Sequence, residues 1–225
     1  VTFTTSRPIK MVYTLDGTTP TPSSTIYTSP IKVSDNTIIK IATVLPSGKM
    51  SRIRTVNVEK QTYAPAIKID GVKSGLQMSR VKGNFLKVDD LNWTDAEWEK
   101  SIISNLEQIK IQRKDDGATL RGANNYAAIA EGYINIPEDG VYYLSSRLEQ
   151  VWIDNKLVVN NEGDVKASTM NDSSVALAKG LHPIKVVFLA NIIGGWPSWW
   201  SSTAIEMRKD NEKEFTAVGG SQLFR

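Results

Sequence analysis

The chain has 225 residues, 40% of them apolar, with 27 basic against 24 acidic side chains, one histidine and no cysteine. That apolar fraction can fill a core and excludes a disordered chain, while the near-balanced charge, without a basic stripe, excludes nucleic acid as a partner. The missing cysteine excludes disulfides, thiolate zinc sites and cysteine nucleophiles, and without about eighteen successive apolar residues no helix is expected to enter a membrane.

The chain opens on Val1-Thr2-Phe3-Thr4-Thr5, a strand-like run with neither an initiator methionine nor a leader, so it is expected to be a piece of a longer protein. Residues 1–62 read as an all-β unit with strands at 1–5, 11–15, 38–44 and 53–59. Asp16-Gly17, Pro30, Asp35-Asn36 and Pro46-Ser47-Gly48 supply the turns between them. This spacing predicts a small sandwich. Residues 61–75, with Pro65, Gly71 and Gly75, read as a linker into a second domain over 72–225.

In that domain Thr94 and Glu97 form a capping-box pattern, and Trp98, Ile102, Leu106 and Ile109 recur at helical spacing, which predicts one short helix giving way to a strand near Glu107. Beyond it the pattern is β, with strands at 128–136, 140–145, 151–153, 156–159, 173–178, 181–189 and 202–208. Trp152 lies inside an alternating strand and is expected to pack in the core. The fold class is therefore all-β: a small immunoglobulin-like sandwich, then a larger antiparallel, jelly-roll-like sandwich.

Val12-Tyr13-Thr14-Leu15-Asp16-Gly17-Thr18-Thr19-Pro20, followed by Ile26-Tyr27, resembles the signature of the chitobiase and β-hexosaminidase C-terminal domain. The resemblance implies an immunoglobulin-like module at the end of a secreted bacterial glycoside hydrolase. It also implies a first strand lying before Val1, so this domain is expected to be truncated at its N-terminus. The catalytic Asp-Glu pair of such an enzyme belongs to a barrel domain that would precede this chain, so no catalytic residue is expected within it.

Gly132-Tyr133, Pro137 to Tyr142, Val151 to Val158 and Lys179 to Ile184 together are similar to the protective-antigen-type β-sandwich, over roughly residues 72–210. Members of that family that bind sugar commonly do so through calcium held by an aspartate pair ahead of the Trp-Ile-Asp strand. By register from Trp152 those positions are Ser146 and Arg147, with Leu148 where the pattern has glycine. An arginine puts positive charge where the cation would sit, so no metal or other cofactor is expected. Asp115-Asp116-Gly117 has the right residues in the wrong place and reads as a hairpin turn.

Trp196, Trp199 and Trp200 crowd a loop bounded by Gly194-Gly195 and broken by Pro197. Exposed indoles stack on the apolar faces of pyranose rings, so these three, with Trp93, are the candidate carbohydrate-binding residues. Equally, they could plug the sandwich or pack on a partner domain. His182 is the sole imidazole and reads as structural, and the neighbouring acids at 89–90, 97–99, 115–116 and 138–139 read as solvated turns. The expected function is a non-catalytic accessory region of a secreted, periplasmic or cell-surface β-N-acetylhexosaminidase, binding glycan weakly and without metal. The alternative is a spacer or protein-interaction module packing on the upstream catalytic domain.

Overall fold

A computed structural model describes residues 1–92, 98–110, 125–163, 171–193, 196–197 and 201–225. The chain divides into two compact units, Val1–Gln61 and Thr62–Arg225.

In the first unit, β1 (Lys10–Thr14), β2 (Thr25–Ile26), β3 (Thr37–Val44) and β4 (Arg54–Val58) form one antiparallel sheet in the order β2-β1-β3-β4. Alternation places Ile39 and Ile41 on one face and Val12 and Ala42 on the other, and all four are buried. The strand expected over residues 1–5 does not form. Only Val1 pairs, exchanging backbone hydrogen bonds with Ile31 in both directions. Nearby the Tyr27 hydroxyl accepts from the Phe3 N–H at 3.0 Å, and the two rings meet edge to face.

The second unit is a sandwich. Its larger sheet contains β5 (Leu76–Lys82), β6 (Glu99–Ile103), β7 (Tyr126–Ile136), β9 (Gln150–Ile153), β10 (Lys156–Asn160), β12 (Gly180–Ala190) and β17 (Leu223–Phe224). The order is β10-β9-β12-β7-β5-β6, and β17 pairs with β7 beyond the end of β5. Facing it is the sheet β11-β8-β15-β16, made of β8 (Gly140–Ser146), β11 (Asn171–Leu177), β15 (Ile205–Lys209) and β16 (Thr216–Ala217). Leu76, Ile134, Ile136, Val151, Ile153, Val186 and Phe188 from the first sheet meet Leu144, Leu177 and Ile205 from the second in one apolar core. A smaller cluster on the outer face joins Ala127, Val187 and Leu189 to Val88, Leu91 and Trp98.

Two expectations need correction. Residues 99–103 are not helical: β6 runs antiparallel to β5 with Ile103 buried and Ile102 half exposed, a period of two rather than 3.6. The helical spacing of Trp98, Ile102 and Leu106 is overridden by pairing with a strand some twenty residues upstream. After β6 the chain makes a 3-10 turn over Leu106–Ile109, capped by the Asn105 side chain accepting from the Gln108 N–H, rather than a strand. Within the stretch that reads as a linker, Ala64 and Ile67 already hydrogen-bond to this sandwich through Ala176, Ala178 and Leu181.

Glu107, in that turn, accepts from both the N–H and the hydroxyl of Thr203 at 3.0 Å and pairs with Lys110. Burial raises its carboxyl, but the bonds from Lys110 and Thr203 outweigh burial and hold it below its ordinary value of 4.5. A folded value below the unfolded one stabilises above the unfolded value, and that contribution is lost as pH falls through the folded one. The midpoint of thermal unfolding should therefore fall more steeply below pH 4.5 in the natural chain than in Glu107→Gln. Parallel slopes would show that the carboxylate contributes nothing.

Candidate functional site

Alternation along β9 sends Val151 and Ile153 into the core, both fully buried, and so turns Trp152 outward. This corrects the expectation of a core tryptophan. Trp152 is half-buried on the outer face of the larger sheet, where its Nε1–H donates to Gln150 Oε1 at 3.0 Å.

Register builds the rest of the site. Lys185 on β12 lies directly opposite Trp152 on one side and Glu131 of β7 on the other, and Glu131 lies opposite Gln77 of β5. One row across four strands thus reads indole, ammonium, carboxylate, carboxamide. The next row pairs Pro183 with Tyr133, and Tyr133 with Phe224 of β17. Gln77, Glu131, Tyr133, Trp152, Pro183 and Lys185, with Asn155 and Arg225, line an open groove of ≈ 560 Å³. The Lys185 ammonium stands 5.0 Å from the centre of the Trp152 ring, a cation–π contact that orients both side chains.

The turn at one end of the groove is fixed from beneath. Asp154 and Asn155 join β9 to β10 with φ of 50° and 61°, the left-handed pair of a two-residue hairpin that Asn and Asp tolerate. His182, fully buried, faces Asp154 Oδ2 with Nδ1 and the Ala178 carbonyl with Nε2, each at 2.8 Å. Both ring nitrogens therefore meet acceptors, and the imidazole ties the turn to β12 in a structural role.

The position of the absent aspartate pair is closed. Ser146 Oγ donates to the Ala204 carbonyl at 2.9 Å and accepts from the Leu148 N–H. The Asn161 side-chain amide donates to the carbonyls of Ser146 and Leu148 at 2.7 and 2.8 Å. A hydroxyl and an amide N–H group, with the cationic Arg147 between Ser146 and Leu148 in sequence, stand where a hard cation needs several oxygens, so calcium does not fit there. Among the described residues no group of three or more histidine, aspartate or glutamate side chains could hold a metal.

Of the residues singled out from sequence, Trp93, Trp199 and Trp200 lie outside the described residues, as do Asp115 and Asp116. Trp196 is placed by its backbone alone. It belongs not to a plain loop but to a small hairpin in which β13 (Ile192–Ile193) pairs with β14 (Trp196–Pro197). The groove at Trp152 escapes a reading of the sequence, although the alternation of Glu131, Tyr133 and Lys185 with buried neighbours carries its signal.

Residues 1–55 match the family model of the chitobiase/beta-hexosaminidase C-terminal domain, and residues 105–213 match that of the PA14 domain. The chain thus carries a stretch similar to a chitobiase-type C-terminal domain, followed by one similar to a PA14 domain. A beta-hexosaminidase of Porphyromonas gingivalis is 40% identical over all 225 residues, and the chain spans 29% of that relative's length. Among solved structures, the PA14 domain of the MpAFP antifreeze protein is 11% identical with a TM-score of 0.48, covering 73% of this chain and 96% of that one. The epithelial adhesin 9 A domain of Candida glabrata, solved with Galb1-3GlcNAc, is 12% identical with a TM-score of 0.47, covering 71% and 92%. The groove belongs to the unit that carries the PA14 match, and all of its strand residues lie on the larger sheet.

Proposed function

We propose that this region serves as the non-catalytic accessory part of an exported glycoside hydrolase of β-N-acetylhexosaminidase type, and that it binds glycan chains on the outer face of the larger PA14 sheet. The observation that carries the reading is the composition of the groove. An indole and a phenol ring share one surface with carboxamide, carboxylate, ammonium and guanidinium groups. A pyranose has an apolar face that stacks on such rings and hydroxyls that both donate and accept, so it needs both kinds of group side by side. An open groove across a sheet admits a chain rather than enclosing one small molecule.

Weak binding suffices for this role. A tethered catalytic domain meets its polymer at a raised effective concentration, so even a shallow site lengthens residence on the substrate. Calorimetric titration of the 225-residue chain with chitin-type and mucin-type oligosaccharides, in EDTA, should give dissociation constants of about 0.1–1 mM, roughly −4 to −5.5 kcal/mol. Absence of heat with both classes would remove the glycan reading and leave the spacer role.

A further inference from the structure

We propose that Asn161 replaces a bound cation as the tether of the β8–β9 loop, so that the PA14 domain of this protein is built to be indifferent to calcium. Asn161 is 1% exposed at the end of β10. Its two amide hydrogens are divided between the carbonyls of Ser146 and Leu148, and its backbone N–H donates to the Glu149 carbonyl at 2.8 Å. One neutral residue therefore satisfies three of the four carbonyls over residues 146–149.

The Ser146 and Leu148 carbonyls are oxygen acceptors turned toward one point, the Asn161 amide nitrogen, the kind of convergence that ordinarily needs a metal ion or a set of N–H donors. Here the donors are supplied by the chain itself. The replacement extends to the neighbours, since Arg147 carries a positive charge and the Ser146 hydroxyl spends its hydrogen on Ala204. The loop is thereby held between β8 and β9, the strand that presents Trp152, with no ion to lose.

The charge logic gives a test that simple packing would not pass. Asn161→Asp removes the two amide hydrogens and sets a carboxylate against two carbonyls, which creates repulsion that a hard cation would relieve. Thermal unfolding of the full chain is followed in EDTA and in calcium chloride. The natural chain should give the same midpoint in both, Asn161→Asp should unfold many degrees lower in EDTA, and calcium should restore much of that loss. Asn161→Ser, which cannot reach both carbonyls, should also unfold lower but gain nothing from calcium. If Asn161→Asp does not fold in either buffer, the natural chain and Asn161→Ser decide. A calcium-raised midpoint in the natural chain, a soluble Asn161→Asp variant blind to calcium, or an Asn161→Ser variant as stable as the natural chain would overturn the proposal.

Discussion

Trp152→Ala is expected to weaken glycan binding at least about tenfold, some 1.4 kcal/mol or more, while leaving the fold in place. The indole is the largest flat surface on the groove floor, and its Nε1–H bond to Gln150 fixes the plane in which a sugar ring would lie. Truncation removes that platform and also takes away the cation–π contact that holds the Lys185 ammonium at 5.0 Å, so the remaining polar groups lose their preset positions. The strand itself should survive, because Val151 and Ile153 anchor β9 in the core and its pairing with β12 runs through the backbone. A thermal midpoint within about 4 °C of the natural chain, no more than roughly 1–2 kcal/mol, would confirm that binding and not folding was lost. Trp152→Phe keeps a ring and should lose less than the alanine variant. Unchanged affinity in Trp152→Ala would end the case for the groove and return attention to Trp196, Trp199 and Trp200.

That Trp152 had to be found by structure shows where the sequence ceases to be legible. Alternation over Val151, Trp152 and Ile153 fixes that the tryptophan and its neighbours lie on opposite faces, but all three are apolar and the pattern cannot say which face is inward. The answer lies in the cross-strand row of Lys185, Glu131 and Gln77, three polar residues from three distant segments. Their company marks the outer face only once the pairing is known. The hairpin at Asp154-Asn155 was legible because its cause is local: two residues able to take positive φ between two alternating runs. The helix expected through Trp98 and Ile102 failed for the opposite reason, since β6 owes its form to β5. Asn161 left no trace at all, as an asparagine that follows Asn160 into a turn says nothing of the carbonyls it will meet from the end of β8. The loss of the aspartate pair was legible, because the resemblance says where the pair belongs and counting back to it from Trp152 needs only the chain.

Gly132→Ala is expected to destabilise the second unit by about 3 kcal/mol, a fall of roughly 6–12 °C in its unfolding midpoint. Gly132 sits on β7 where the neighbouring strand changes: Glu131 pairs with Gln77 of β5, whereas Tyr133 pairs with Phe224 of β17. Two chain segments must converge on one backbone position, and Gly75 and Lys73 already bind the end of β17 from the other side. A Cβ at Gly132 would lie 2.7 Å from Leu76 Cδ2 and closer still to the Phe224 carbonyl oxygen, which is backbone and cannot swing aside. Either β17 leaves its pairing with β7 or Leu76 moves out of a core position where it is fully buried. Gly219→Ala is the matched control, because its added Cβ meets only Ser221 Oγ at 3.8 Å and its φ of −81° suits any residue. The two variants change composition identically, so a gap between their midpoints measures the crowding at β7. Equal midpoints would mean that β17 is not held against β7. Where the added Cβ instead drives β17 from β7, the groove loses Arg225 from its lining, and glycan affinity should fall in Gly132→Ala and not in Gly219→Ala.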